Sequence, residues 1–236
     1  MAISLEKRAE TVKINLVKKN IENVKANVCL MIDISGSMSG LFGNGVVQET
    51  IDKIFAIAFN LDPDKQLDVF VFNYRARQLS KMLESHYGNY VKNVLLRETS
   101  IGGGTNYAPV INMVTDFYKP ETTTVKKSGG FFGIGAKTEE VPAGDVQPIY
   151  AIFITDGAND DRAEAKAAFA RTAPGNVYFQ CIGIGDPSQF SFIDSVGDAF
   201  GHVGFTNLND LNISDDELYD RLINEEFAEW VKPFVK

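Results

Sequence analysis

Five oxygen-bearing side chains stand out by type and spacing: Asp33, Ser35 and Ser37, then Thr105, then Asp156. The stretch Asp33-Ile34-Ser35-Gly36-Ser37 sets one carboxylate and two hydroxyls at alternate positions, with no Cys or His among them. An all-oxygen donor set suits Mg²⁺, Mn²⁺ or Ca²⁺ rather than zinc or copper. Mg²⁺ takes about six oxygens in near-octahedral geometry and keeps several as water. The hydroxyls of Ser35, Ser37 and Thr105, the carboxylates of Asp33 and Asp156, and water would meet that need. The plainer alternative is a polar turn in which Asp33 or Ser35 caps nearby backbone.

Strand ends must position these groups. Val28-Cys29-Leu30-Met31-Ile32 is an unbroken apolar run that stops at Asp33. Such a run reads as a strand buried on both faces. Ile149-Tyr150-Ala151-Ile152-Phe153-Ile154 repeats the pattern and stops at Thr155-Asp156-Gly157. Thr105 follows Gly102-Gly103-Gly104 and precedes a helix over 107–118, with Pro109 in its first turn. Ligands of open α/β sheets bind beyond the carboxyl ends of the strands, so three loops are expected to meet on one edge. Gly36 is expected to turn the chain tightly, and Gly102 to Gly104 to let backbone approach an ion.

The other elements follow by pattern. Apolar residues at helical spacing predict a helix from Val46 to Asn60, stopped by Asp62-Pro63-Asp64. Strands are expected over 67–72 and 177–184, a short one over 203–205, and an edge strand over 77–82. A short helix is expected over 90–96, and an alanine-rich one over 162–171. Leu5 to Ile21 fits a helical face through Leu5, Ala9, Val12 and Leu16, and equally a strand through Val12, Ile14 and Leu16. Ser39 to Gly45 reads as a glycine-rich loop beside the Asp33 cluster, with Phe42 either on the rim of the site or, the plainer reading, a simple loop hydrophobe. Ser214-Asp215-Asp216-Glu217 is a capping box, opening one terminal helix through Trp230. Between Pro120 and Pro148 the texture changes to a hairpin with a Gly/Phe tip at 128–135. Phe131, Phe132 and Ile134 there either form a contact surface or fold back onto the domain. Alternating strands and helices give an α/β fold: a doubly wound, Rossmann-like, mostly parallel sheet flanked by helices, with a β-hairpin insertion. The expected organisation is a single domain over 1–236, with an N-terminal extension (1–26), the insertion (120–148) and a C-terminal helix (214–236).

Composition excludes several classes. The net charge of −8 argues against a nucleic-acid backbone or anionic lipid as partner. No secretory signal or membrane-spanning run is read, and the expected location is cytoplasmic. Cys29 and Cys181 lie inside apolar runs and read as buried thiols. Gly183-Ile184-Gly185-Asp186 lacks the third glycine of a dinucleotide fingerprint, since Ser188 stands there, and no P-loop occurs. His86 and His202 have no zinc-ligand spacing and read as polar surface or loop residues. The acidic run 210–220 reads as a solvated helix start.

This order of residues resembles the von Willebrand factor A family. The family's metal-ion-dependent adhesion site (MIDAS) is matched by Asp33-x-Ser35-x-Ser37, Thr105 and Asp156. Within the family the chain is most similar to the A domain of TerF-type tellurite-resistance proteins. The likeness rests on Gly103-Gly104-Thr105-Asn106-Tyr107-Ala108-Pro109-Val110, on Ile152 to Gly157, on Asp216 to Leu222 and on Glu229-Trp230. It implies an integrin I-domain-like fold and a protein-binding module without catalytic residues. Its cofactor would be Mg²⁺, with Mn²⁺ or Ca²⁺ as alternatives. Its partner would be a protein presenting an Asp or Glu carboxylate to the metal. It further implies hydroxyls on the metal, at least one aspartate acting through water, and ligand-linked movement of the helix after Ser214. A context in tellurite or other chemical stress is also implied. Two other readings stand beside it. One is Mg²⁺-dependent phosphoryl transfer with Asp33 as nucleophile. That chemistry wants a second acid at position 35, where Ser stands, and a lysine in a later loop, where none follows Asp156 or Gly183. The other is a structural domain with an unused metal site.

Overall fold

The computed structural model describes residues 3–127, 137–142, 144–173, 175–208 and 213–234. In chain order the elements are α1 (Leu5–Lys18), β1 (Asn27–Asp33), α2 (Ser39–Gly43), α3 (Val46–Leu61), β2 (Asp68–Phe72), β3 (Ala76–Gln78), α4 (Leu96–Glu98), α5 (Ala108–Phe117), β4 (Thr122–Lys127), β5 (Lys137–Pro142), β6 (Ile149–Thr155), α6 (Arg162–Thr172), β7 (Val177–Ile184), α7 (Ser191–Ala199), β8 (Val203–Leu208), α8 (Asp215–Leu222) and α9 (Glu225–Val231).

Six strands form one sheet in the order β3-β2-β1-β6-β7-β8. All pairs are parallel except β2 with β3. β1 and β6 are buried along their lengths, as apolar runs without alternation require. Successive side chains point to opposite faces. Val28, Leu30 and Ile32 therefore enter a core with α1, α3, α8 and α9, whereas Cys29 and Met31 enter one with α5, α6 and α7. Both cysteines are free and buried. β4 and β5 pair antiparallel as a separate ribbon. The tip 128–135, with Phe131, Phe132 and Ile134, lies outside the described residues.

Several local expectations are corrected. The ambiguous opening is a helix, because Ser4 accepts a hydrogen bond from Lys7 N and the buried residues Leu5, Arg8, Val12, Asn15 and Leu16 share one face. Residues 39–43 are helical, after a 3₁₀ turn over Gly36–Met38, and Phe42 is in the core. The terminal stretch is two helices, since Asn224 caps a new start by accepting from Phe227 N. α7 was not anticipated; Asp186 caps the preceding turn over Pro187–Phe190, and Ile193 and Val196 are its buried residues. Phe117 is half exposed, edge-on to Phe70. His202 is buried rather than superficial: its Nε2 lies 2.8 Å from Thr172 Oγ1 and 3.1 Å from Phe169 O. Burial holds its pKa below the usual value.

Candidate metal centre

The sheet places its switch in strand order at β1 and β6. The chain leaving β1 goes to β2 on one side, and the chain leaving β6 goes to β7 on the other. The crevice between such diverging connections is where open sheets hold ligands. Asp33 and Thr155 end the two strands. Ile32 is in register with Ile154, so the next residues, Asp33 and Thr155, face the same side. Thr155 Oγ1 accordingly donates to Asp33 Oδ2 at 2.7 Å.

From Asp33 a chain of polar contacts runs outward. Ser35 N donates to Asp33 Oδ1 at 2.7 Å. Ser35 Oγ lies 3.1 Å from Ser37 Oγ, and Ser37 Oγ donates to Asp156 Oδ1 at 2.8 Å. Asp33 and Ser35 are buried, Asp156 half-buried and Ser37 exposed, so the group forms a path from interior to solvent.

The Thr105 loop closes one side. Gly102 N donates to Ile34 O at 2.8 Å and Gly36 N to Gly103 O at 3.1 Å. Asp160 N donates to Thr105 O at 2.8 Å, tying that loop to the one after β6. Thr105 thus stands between the Asp33 and Asp156 loops, half-buried. Among the described residues its hydroxyl bonds none of the other four. The chain does turn tightly at Gly36, in the 3₁₀ turn, but Gly36 needs no unusual φ there, and a Cβ would make ordinary contact with Gly103 O at 3.8 Å. Gly103 does need its freedom, with φ at +92°.

Electrostatically the site is uncompensated. Burial pushes Asp33 up to about 6, against the hydrogen bonds from Ser35 and Thr155, and Asp156 adds repulsion. Burial also raises Asp156, against its bond from Ser37. Among the described residues no lysine or arginine pairs with either. Among them, too, no three His, Cys, Asp or Glu are grouped to hold a metal. A cation here would rest on two carboxylates plus hydroxyls, a donor set that fits a hard divalent ion and neutralises both charges. Two cavities of about 380 Å³ lie instead at the opposite end of the sheet, beside Asn27 and Asn176. An ion needs converging oxygens, not volume.

Sequence reasoning passed over several supporting residues. Thr155 braces Asp33 and is visible by parity alone, one residue before Asp156. Asp161 accepts from Tyr107 N and Ala108 N, pinning the start of α5. The Tyr107 hydroxyl reaches Gly157 O at 2.5 Å. Asn73 Nδ2 holds Gly102 O at 2.8 Å. No local pattern marks Asn73.

A family model described as "vWA-TerF-like: vWA found in TerF C terminus" matches residues 25–128 and 134–236. A Bacillus subtilis (strain 168) protein described as uncharacterized, YcbR, is 31% identical over 237 residues, covering 98% of this chain and 86% of the relative. Solved structures share the fold at low identity. The SpRpn10 VWA domain has a TM-score of 0.55 and 11% identity, over 86% of this chain and 98% of that one. Proximal thread matrix protein 1 from the mussel byssus, with a zinc occupied MIDAS motif, has a TM-score of 0.53 and 17% identity, over 91% of this chain and 50% of that one. The manganese-loaded Plasmodium vivax TRAP protein has a TM-score of 0.52 and 16% identity, over 90% and 74%. The chain thus spans half the length of the byssus protein. Among the described residues, no helix is long and apolar enough to cross a membrane.

Proposed function

The chain belongs to the family of vWA domains found in the TerF C terminus, and from that premise we propose that it is a protein-binding module whose hold on its partner depends on a divalent cation. Asp33, Ser35, Ser37, Thr105 and Asp156 hold the ion. Mg²⁺ is the first choice, with Mn²⁺ or Ca²⁺ able to replace it. The zinc of the byssus protein and the manganese of the TRAP protein support a divalent ion in this fold. The observation that carries the reading is Asp33: a buried carboxylate, uncompensated by any described cation, at the inner end of a hydroxyl path to solvent.

The bound ion would supply Lewis acidity toward a carboxylate of the partner. The chain's own residues do the rest. Thr155 and the Ser35 amide fix the Asp33 oxygens. Asp161 and Tyr107 fix the loop after β6. With at least one aspartate acting through water, as the family likeness implies, fewer carboxylates would touch the ion directly, more positive charge would stay on it, and an outside acid would remain attractive. Contact between opposite charges is far stronger in a partly desolvated site than in water. The partner is a protein that presents Asp or Glu, not nucleic acid or membrane. The reading includes no catalysis. The setting is cytoplasmic and concerns tellurite or other chemical stress, a context that rests on the TerF likeness alone.

Titration calorimetry with Mg²⁺ and Mn²⁺, on wild type and Asp33→Asn, tests the ion. Saturable binding lost in the variant is expected. Heat that is absent, or unchanged by Asp33→Asn, overturns the reading. Capture of a protein from lysate that requires Mg²⁺ and fails with Thr105→Ala is the matching test for the partner.

A further inference from the structure

We propose that Tyr74 and Arg75 form a second recognition point beside the cation site, taking an apolar side chain and a second carboxylate from an acidic partner segment. This rests on the cation-dependent reading above and specifies what its partner must carry.

β2 lies next to β1, so the turn after β2 lies next to the loop after β1. Ile34 N donates to Phe72 O at 2.8 Å, fixing that adjacency at the last rung. Asn73 then locks the turn. Its Oδ1 accepts from Arg75 N at 3.0 Å, and its N donates to Arg75 O at 2.9 Å. Its side chain holds Gly102 O at 2.8 Å, and its own carbonyl accepts from Asn106 N at 2.8 Å. The Tyr74 ring lies so close to Gly103 that a Cβ there would fall 2.7 Å from Cε1. Gly103 in turn accepts from Gly36, which stands between the two serines. Gly103 and Gly36 therefore link Tyr74 to the hydroxyl pair.

Tyr74 is nonetheless 53% exposed. The Arg75 guanidinium sits 5.4 Å from its ring centroid. Among the described residues no carboxylate pairs with Arg75, although the chain carries −8 overall. A guanidinium stacked on an aromatic has its fork oriented in advance, which suits a carboxylate. On the other flank Asp160 Oδ2 faces Thr105 N at 3.4 Å. The mouth is thus cationic and aromatic on the β2 side and acidic on the β6 side. A segment with one acid at the ion meets the Asp160 carboxylate on one flank and, on the other, the Arg75 guanidinium, which attracts a second acid.

Selection from a random linear-peptide phage library on the immobilised protein in Mn²⁺, eluted with chelator, tests this. Wild type should enrich peptides with two acidic residues and an apolar residue between them. Arg75→Glu should enrich peptides in which one acid is replaced by Lys or Arg, and Tyr74→Ala should lose the apolar preference. A synthetic copy of a wild-type-selected peptide should bind Arg75→Glu at least about fivefold more weakly. Mn²⁺ affinity should be equal in both proteins. If wild type and Arg75→Glu enrich the same peptides with equal Mn²⁺ affinity, the inference is overturned while the cation reading stands. If wild type yields no chelator-eluted sequence at all, the protein-binding reading fails and the inference falls with it.

Discussion

Ser37 Oγ donates to Asp156 Oδ1 at 2.8 Å, bridging two loops 119 positions apart in the chain. This bond is the outermost link of the path that begins at Asp33, and Ser37 is its exposed member. Water can replace it, so Ser37→Ala should change folding stability by less than about 1 kcal/mol. The same substitution removes a proposed ion donor and the hydrogen that orients Asp156. Disturbing an ion's supporting contacts costs about 10–100-fold in affinity. Calorimetric titration with Mg²⁺ should show a loss in that range. Equal affinity in the two proteins would remove Ser37 from the site.

Asp33 should behave in the opposite way, because it is fully buried at the end of β1. Its pKa is pushed up to about 6 by burial, against about 3.9 in an unfolded chain. Between those values the folded state holds the extra proton. Stability then falls as pH rises through that window, and the full penalty, up to about 3 kcal/mol, is present above about pH 6. Asp156, also raised by burial, adds in the same sense. His202, lowered by burial, acts oppositely: its contribution is lost as pH falls through the ordinary imidazole range. The difference between wild type and Asp33→Asn isolates the one group, since Asn has no proton to exchange. In chelator, Asp33→Asn should be the more stable protein at pH 7, with the gap closing toward pH 4. Saturating Mg²⁺ should stabilise only wild type and reverse the order. Parallel melting curves across pH, with or without ion, would show that Asp33 carries no buried charge.

The strands that carry the site were legible because β1 and β6 are apolar on both faces, a pattern that needs no partner to be read. Asp33, Ser35, Ser37, Thr105 and Asp156 were legible as a set of hard donors, and four of them share one hydrogen-bonded path. What local pattern could not show were polar residues whose partners are remote. Arg8 and Asn15 look like a solvated helix face, yet both are buried because Asp215 and Asp216 meet them from the far end of the chain. His202 looked superficial because Thr172 and Phe169 satisfy it from a different element. The break between α8 and α9 turns on Asn224, whose capping geometry competes with a continuous apolar stripe.

Arg8 is the joint between α1, α3 and α8. Its side chain is 2% exposed. It donates to Asp215 Oδ2 at 3.1 Å and to the Tyr87 hydroxyl at 2.9 Å, and it pairs with Glu49. Arg8→Met keeps the volume of the stem but strands these acceptors. Asp215 retains Lys53 at 3.5 Å and Glu49 can turn to water, so the cost should fall below that of a fully orphaned buried charge. About 2–3 kcal/mol is expected, read as a lower urea midpoint at unchanged slope. Arg8→Lys should recover little of it, because one ammonium cannot reach three acceptors held apart by a planar fork. Full recovery by lysine would mean that charge alone, not the fork, holds α8.

Gly103 offers a test of how the site loop is held. Its φ of +92° disfavours any side chain, and a Cβ would also strike Tyr74 Cε1 at 2.7 Å and crowd Asn73 Nδ2 at 3.2 Å. Gly103→Ala should cost about 1–3 kcal/mol from backbone strain and the clash together. In a Tyr74→Ala background the ring is gone and only the strain remains, so the same substitution should cost less, with the difference appearing as a coupling term in a double-mutant cycle. Because Gly103 O accepts from Gly36 N, displacing this loop should also weaken Mg²⁺ binding in Gly103→Ala, and Tyr74→Ala should restore part of it. Strict additivity of the two substitutions, in stability and in ion affinity alike, would show that Tyr74 does not bear on the loop.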